Sequence, residues 1–148
     1  MISPDAARVT RTRLATGLPE PIDRMLRNAH RAEQTAQGTH RRAAFQLTRN
    51  LLGGAHRAGY PVRALAECLG LSHKSLRARC GADGWLSTDE VAAMTDTPPV
   101  VIARWLGAGR ISSMIDDRDG TPLYLASEVI QAVVKRHRDE ISARLAPE

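Results

Sequence analysis

Apolar residues recur at spacings of three and four along most of this chain, and glycines and prolines break the pattern into a series of short helices. From Pro21, the segment PIDRMLRNAHRAEQTAQ sets Ile22, Met25, Leu26 and Ala29 along one stripe with arginines opposite, before Gly38 stops it. A second helix is expected from about Thr39 to Ala58, burying Ala44, Leu47, Leu51 and Leu52, with Gly59 as its C-terminal stop. The adjacent Gly53 and Gly54 each weaken it by about 1 kcal/mol relative to alanine. They either allow another segment to approach closely or mark a break.

Residues 62–81, VRALAECLGLSHKSLRARCG, then read as two short helices around a tight turn. Pro61 presets φ for the first turn, Val62, Leu65, Ala66 and Leu69 follow at helical spacing, and Gly70 supplies the positive φ that ends the helix. Ser72 caps the next helix, with Leu71 and Leu76 facing the first one. That leaves His73, Lys74, Arg77 and Arg79 for solvent, with Arg79 standing where such motifs usually keep an apolar residue.

The pattern changes after a turn-rich joint at Gly81, Asp83 and Gly84. In LSTDEVAAM, Ser87 and Glu90 form a capping box, with Val91, Ala92 and Met94 as the apolar face. Thr97 opens the following helix, which tolerates Pro98 and Pro99 in its first turn, carries Val101, Ile102, Trp105 and Leu106 at core spacing, and ends at Gly107 and Gly109. Two β-prone runs in ISSMIDDRDGTPLYL flank Asp119-Gly120 and predict a hairpin. Ser127 is expected to cap a final helix with Ile130, Val133, Val134, His137, Ile141 and Leu145 along one side. This stripe either joins two copies of the chain or folds back on the rest.

The 148 residues and 43% hydrophobic content suffice for two small compact units. The expected divisions are a flexible basic arm over 1–18, with Arg8, Arg11 and Arg13, a helical unit over 19–82, and a second unit over 83–148. Trp85 and Trp105 are the expected anchors of the second unit's core. The net charge of +5 is unevenly spread: residues 1–80 carry 14 Lys and Arg against 5 Asp and Glu, while residues 81–148 carry 7 against 11. A polyanion is therefore drawn to the first half, where each cation that neutralises a phosphate releases a counterion. No apolar run approaches the roughly 20 residues of a spanning helix, and MISPDAARVTRTR lacks the apolar stretch of a secretory signal. The expectation is a cytoplasmic protein without membrane association, in which Cys68 and Cys80 remain thiols.

Residues 40–81 are similar to the trihelical DNA-binding units of bacterial transcription regulators. Residues 85–135 resemble the winged helix-turn-helix of the MerR and excisionase type, in WLSTDEVAAM, in RWLGAGRI and in the hairpin before Ser127. The first resemblance implies contact with bases by Ser72, His73, Lys74 and Arg77. The second implies contact by Thr97, Arg104, Arg110 and Arg118, although Pro98, Pro99, Val100 and Val101 offer base edges few donors and Asp116, Asp117 and Asp119 repel phosphates at the wing. Arg57 and Arg63 flank the turn into the first motif and are expected on phosphates, with Arg79 a further candidate.

Other chemistry finds little support in the sequence. Cys68, Cys80, His56 and His73 are metal-ligand types without close paired-cysteine spacing, so neither a metal nor a cofactor is expected. His137, Arg138 and Asp139 spell a kinase triplet inside an amphipathic helix with no phosphate loop upstream. Paired carboxylates and nucleophile elbows are missing from the pattern, and no enzyme is expected. The expected architecture is mainly α: a helix-turn-helix domain followed by a winged unit with a β-hairpin and a C-terminal helix. The leading functional expectation is a sequence-specific bacterial or phage transcriptional regulator on double-stranded DNA. It would form homodimers through the C-terminal helix and contact RNA polymerase or a recombinase. The alternatives are an excisionase-like architectural factor that bends DNA for a recombinase, and a protein–protein adaptor.

Overall fold

The computed structural model describes residues 17–145. Helix α1, Glu20–Thr35, opens with Pro21, Glu20 and Asp23, which suit a first turn because its N–H groups lack partners and its dipole favours negative charge. Its stripe of Ile22, Met25, Leu26 and Ala29 is buried. Helix α2, Thr39–Arg57, lies against α1 and runs unbroken through both of its glycines. Close approach explains them. A Cβ on Gly53 would collide with the Ala82 carbonyl, and one on Gly54 would lie 2.5 Å from the Ala126 Cβ.

Helices α3, Val62–Leu69, and α4, His73–Arg79, pack against each other across the turn at Gly70, whose φ of 67° is the left-handed geometry expected there. A strand, β1 (Trp85–Ser87), precedes helices α5, Thr88–Thr95, and α6, Pro99–Gly107. Strands β2, Ser113–Ile115, and β3, Pro122–Leu125, form the expected hairpin, closed by Asp116 N–H donating to the Thr121 carbonyl at 2.8 Å. β1 pairs antiparallel with the other side of β3, Leu86 opposite Tyr124, giving a three-stranded sheet of order β1-β3-β2. The chain is thus mainly helical, with seven helices and one small antiparallel sheet among the described residues.

Helix α7, Ala126–Leu145, follows β3 directly, and its start differs from expectation. Ser127 lies inside the first turn and donates both its N–H, at 2.9 Å, and its hydroxyl to the carboxylate of Asp83. The cap comes from the joint 44 residues earlier in the chain. The first two and a half turns of α7 fold back onto α2 and α1, burying Val129, Ile130, Val133 and Val134. Ile141 and Leu145 lie beyond them and remain 41% and 79% exposed.

One hydrophobic core crosses the joint at residue 83. Leu26, Leu51, Leu52, Leu65 and Leu76 belong to the same buried cluster as Leu86, Val91, Ile102, Trp105 and Ile130. The close approach of Ala82 and Ala126 to α2 is the physical reason the two halves share it.

Candidate nucleic-acid interface

α4 has only seven residues, too few to persist as an isolated helix, so its neighbours must hold it. Leu76 is its single buried side chain. At one end, Ser72 Oγ accepts the Ser75 N–H at 3.0 Å and also bonds to Ser75 Oγ at 2.9 Å. Ser72 is therefore engaged as a cap. His73, Lys74 and Arg77 are exposed, and among the described residues neither Lys74 nor Arg77 is paired with a carboxylate.

Arg79 does not belong to this surface. Its Nη2 meets Glu33 Oε2 at 2.5 Å, its guanidinium lies 4.5 Å from the centroid of the Phe45 ring, and its side chain is only 20% exposed. Its Nε is buried without a hydrogen-bond partner. The unexpected charge at an apolar position thus has a counter-ion on α1, a partner that the local pattern around Arg79 gave no means of finding. Arg57, in the last turn of α2, and Arg63, in the first turn of α3, are both exposed.

In the second half, Thr97 is 3% exposed. Its hydroxyl accepts from Thr95 Oγ1 at 2.8 Å and from Arg136 Nη1 at 3.4 Å, and itself lies 3.3 Å from the Thr95 carbonyl. The cause is Asp96, whose φ of 52° turns the chain back on α5, so that Pro98 and not Thr97 occupies the N-cap of α6. Buried and bonded, Thr97 cannot reach a base.

Arg104, Arg110 and Arg118 are exposed. Arg104 and Arg110 line one groove with Asp139 and Glu140 of α7, which lowers their attraction for an anion. Asp139 itself is held below its ordinary pKa, chiefly by the hydrogen bond from Lys135 Nζ at 2.9 Å, with smaller help from the Lys135, Arg110 and Arg138 charges. The acidic hairpin tip is a turn device. Asp116 Oδ1 accepts the Arg118 N–H at 3.0 Å, and Asp119 Oδ1 accepts from Thr121 N at 3.0 Å and Thr121 Oγ1 at 2.6 Å. The bonds from Thr121 keep the Asp119 carboxyl below its usual range. Loop geometry therefore accounts for two of the three aspartates that burden this hairpin as a phosphate contact.

The basic arm expected over 1–18, with Arg8, Arg11 and Arg13, lies outside the described residues apart from Gly17 and Leu18. Cys68 is buried and its thiol donates to the Asp23 carbonyl at 3.6 Å. Among the described residues, no three His, Cys, Asp or Glu side chains converge as metal ligands, and no helix is long and apolar enough to cross a membrane. No known family, no curated protein and no solved structure matches this chain.

Proposed function

We propose that this chain binds double-stranded DNA through α4 and acts as a transcriptional regulator in the cytoplasm of a bacterium or its phage. The observation that supports this best is the presentation of His73, Lys74 and Arg77. Lys74 and Arg77 project from a short helix held to the body by Leu76, His73 stands exposed at its first position, and the helix start is fixed by a left-handed glycine and a serine cap. A helix of this kind enters the major groove with its first residues toward base edges. Arg77 has the fork to pair with guanine O6 and N7, while Arg57 and Arg63 contribute charge for phosphates.

In this reading α5, α6 and the hairpin form a winged helix-turn-helix, and the exposed end of α7 with Ile141 and Leu145 joins two copies, setting the separation of two half-sites. A second reading applies to the C-terminal half alone. The exposed Val100 at the start of α6 and the carboxylates beside Arg104 and Arg110 favour a protein partner there over phosphates.

The test is fluorescence anisotropy on duplexes recovered from a random pool. Affinity should fall linearly in log K against log salt. The double change Lys74→Ala with Arg77→Ala should lower affinity for the recovered sequence at least tenfold, since one bidentate base contact contributes about 1–3 kcal/mol. Absence of salt-dependent binding, or an unchanged double variant, would reject the proposal.

A further inference from the structure

We infer that the first two turns of α2, through Arg41 and Arg42, form a second phosphate-contacting surface that continues the one on α4. The inference rests on the DNA-binding reading above and adds residues to it that neither helix-turn-helix pattern identifies. The first observation is a local mismatch. His40, Arg41 and Arg42 stand in the first turn of α2, where the helix dipole disfavours cations, and no acidic residue accompanies them. α1 and α5 put Glu20 with Asp23, and Asp89 with Glu90, in the corresponding turns. Among the described residues neither Arg41 nor Arg42 has a salt-bridge partner.

The second observation is that this end of α2 projects beyond the core. Thr39 to Ala43, Phe45 and Gln46 are exposed, and the first buried residue of the helix is Thr48. An extended helix end that buries so little offers its surface to something outside the chain.

The third observation places that surface beside α4. The last turn of α4 is seated on Phe45 through Arg79, and the following Gly81 lies against the Arg49 side chain. Arg41 and Arg42 precede Phe45 by four and three residues, one helical turn, and share a shallow hollow with it and Gln46. Arg77 stands two residues before Arg79. The helix that carries Arg77 and the helix end that carries Arg41 and Arg42 therefore meet at a single junction.

Charge identifies the partner. Between residues 38 and 80 there are eight Lys and Arg against one acidic residue, Glu67, and of the eight only Arg79, paired with Glu33, has a salt-bridge partner among the described residues. A regular polyanion such as a duplex backbone is bound by unpaired cations spread over a convex surface, without an enclosing pocket.

The experiment compares the full chain with Arg41→Gln/Arg42→Gln, using anisotropy on a random-sequence duplex and on a recovered one across salt concentrations. The expected result is a slope smaller by about two, near 0.9 for each lost phosphate contact, with affinity falling by the same factor on both duplexes. The thermal midpoint should be unchanged or slightly raised, since the cations leave an unfavourable helix end. If the parent chain binds with salt dependence and the variant keeps its slope, the α2 surface is refuted while the α4 reading stands. If the parent shows no salt-dependent binding, both fall. Retained duplex binding together with lost binding to a polyglutamate peptide would assign the surface to an acidic protein and overturn the inference.

Discussion

Removing Glu33 or Arg79 should loosen α4 from the body of the protein. Their side chains are 10% and 20% exposed, and the pair links the last turn of α1 to the last turn of α4. Breaking a fully buried ion pair by deleting one partner costs about 3–5 kcal/mol, because the remaining charge is left uncompensated away from water. Part of Arg79 still reaches solvent, which reduces that figure, while Arg79→Ala also removes the cation–π contact with Phe45, of order 1 kcal/mol. The expected loss for Arg79→Ala is about 2–4 kcal/mol, and Glu33→Gln should fall at the lower end. Replacing both together by methionine should restore most of the loss, since apolar residues of similar volume commonly replace a buried pair at little cost. Urea unfolding with an unchanged m-value measures this, and the fall in thermal midpoint should be about 4–16 °C for a chain of this size. A loss below about 0.5 kcal/mol for Arg79→Ala, together with a salt slope of DNA binding reduced by about one, would refute the reasoning and add Arg79 to the proposed phosphate-contacting residues.

The remaining predictions concern packing, capping and pH. Gly54→Ala should destabilise by about 1–2 kcal/mol, because overpacking against Ala126 and the Ser127 amide outweighs the gain in helix propensity, whereas Gly107→Ala meets open space and should stabilise by up to about 1 kcal/mol in thermal unfolding. Asp83→Ala leaves the N–H and hydroxyl of the buried Ser127 without their partner and should cost about 2 kcal/mol by urea titration. Burial, with further support from Asp23, pushes the Cys68 thiol up to about 12. The folded state therefore holds this proton more tightly than the unfolded chain, so the contribution is complete below about pH 8.5 and is lost as pH rises toward 12. Cys68→Ala should flatten the alkaline limb of a stability–pH profile, and a limb of unchanged slope would count against this origin.

Periodicity carried the helices because their partners are local. Ile22, Met25 and Leu26 announce the buried side of α1, and Gly70 and Ser72 announce the α3–α4 turn, since each acts within one helical turn of itself. Asp119-Gly120 marks the hairpin for the same reason. β1 stayed hidden because Trp85 to Ser87 is too short to establish a period of two, and its strand conformation depends on β3 nearly 40 residues away. Ser127 is likewise 44 residues from its cap at Asp83, and Arg79 is 46 residues from Glu33. Gly53 and Gly54 were ambiguous for an equivalent reason: the segments that need the space, around Ala82 and Ala126, lie far along the chain. At the candidate interface, exposure of Lys74 and Arg77 follows from helical phase relative to Leu76, and that of His73 from its place at the helix start. Burial of Thr97 follows from the left-handed Asp96, which no local rule required of an aspartate.

Amide chemical-shift mapping of the full chain, titrated with a recovered duplex, tests the placement of α4 in a groove most directly. The largest changes should fall on Ser72 to Ala78, with smaller ones on the first turns of α2. Changes centred instead on Val100 and the hairpin, with α4 unmoved, would contradict it.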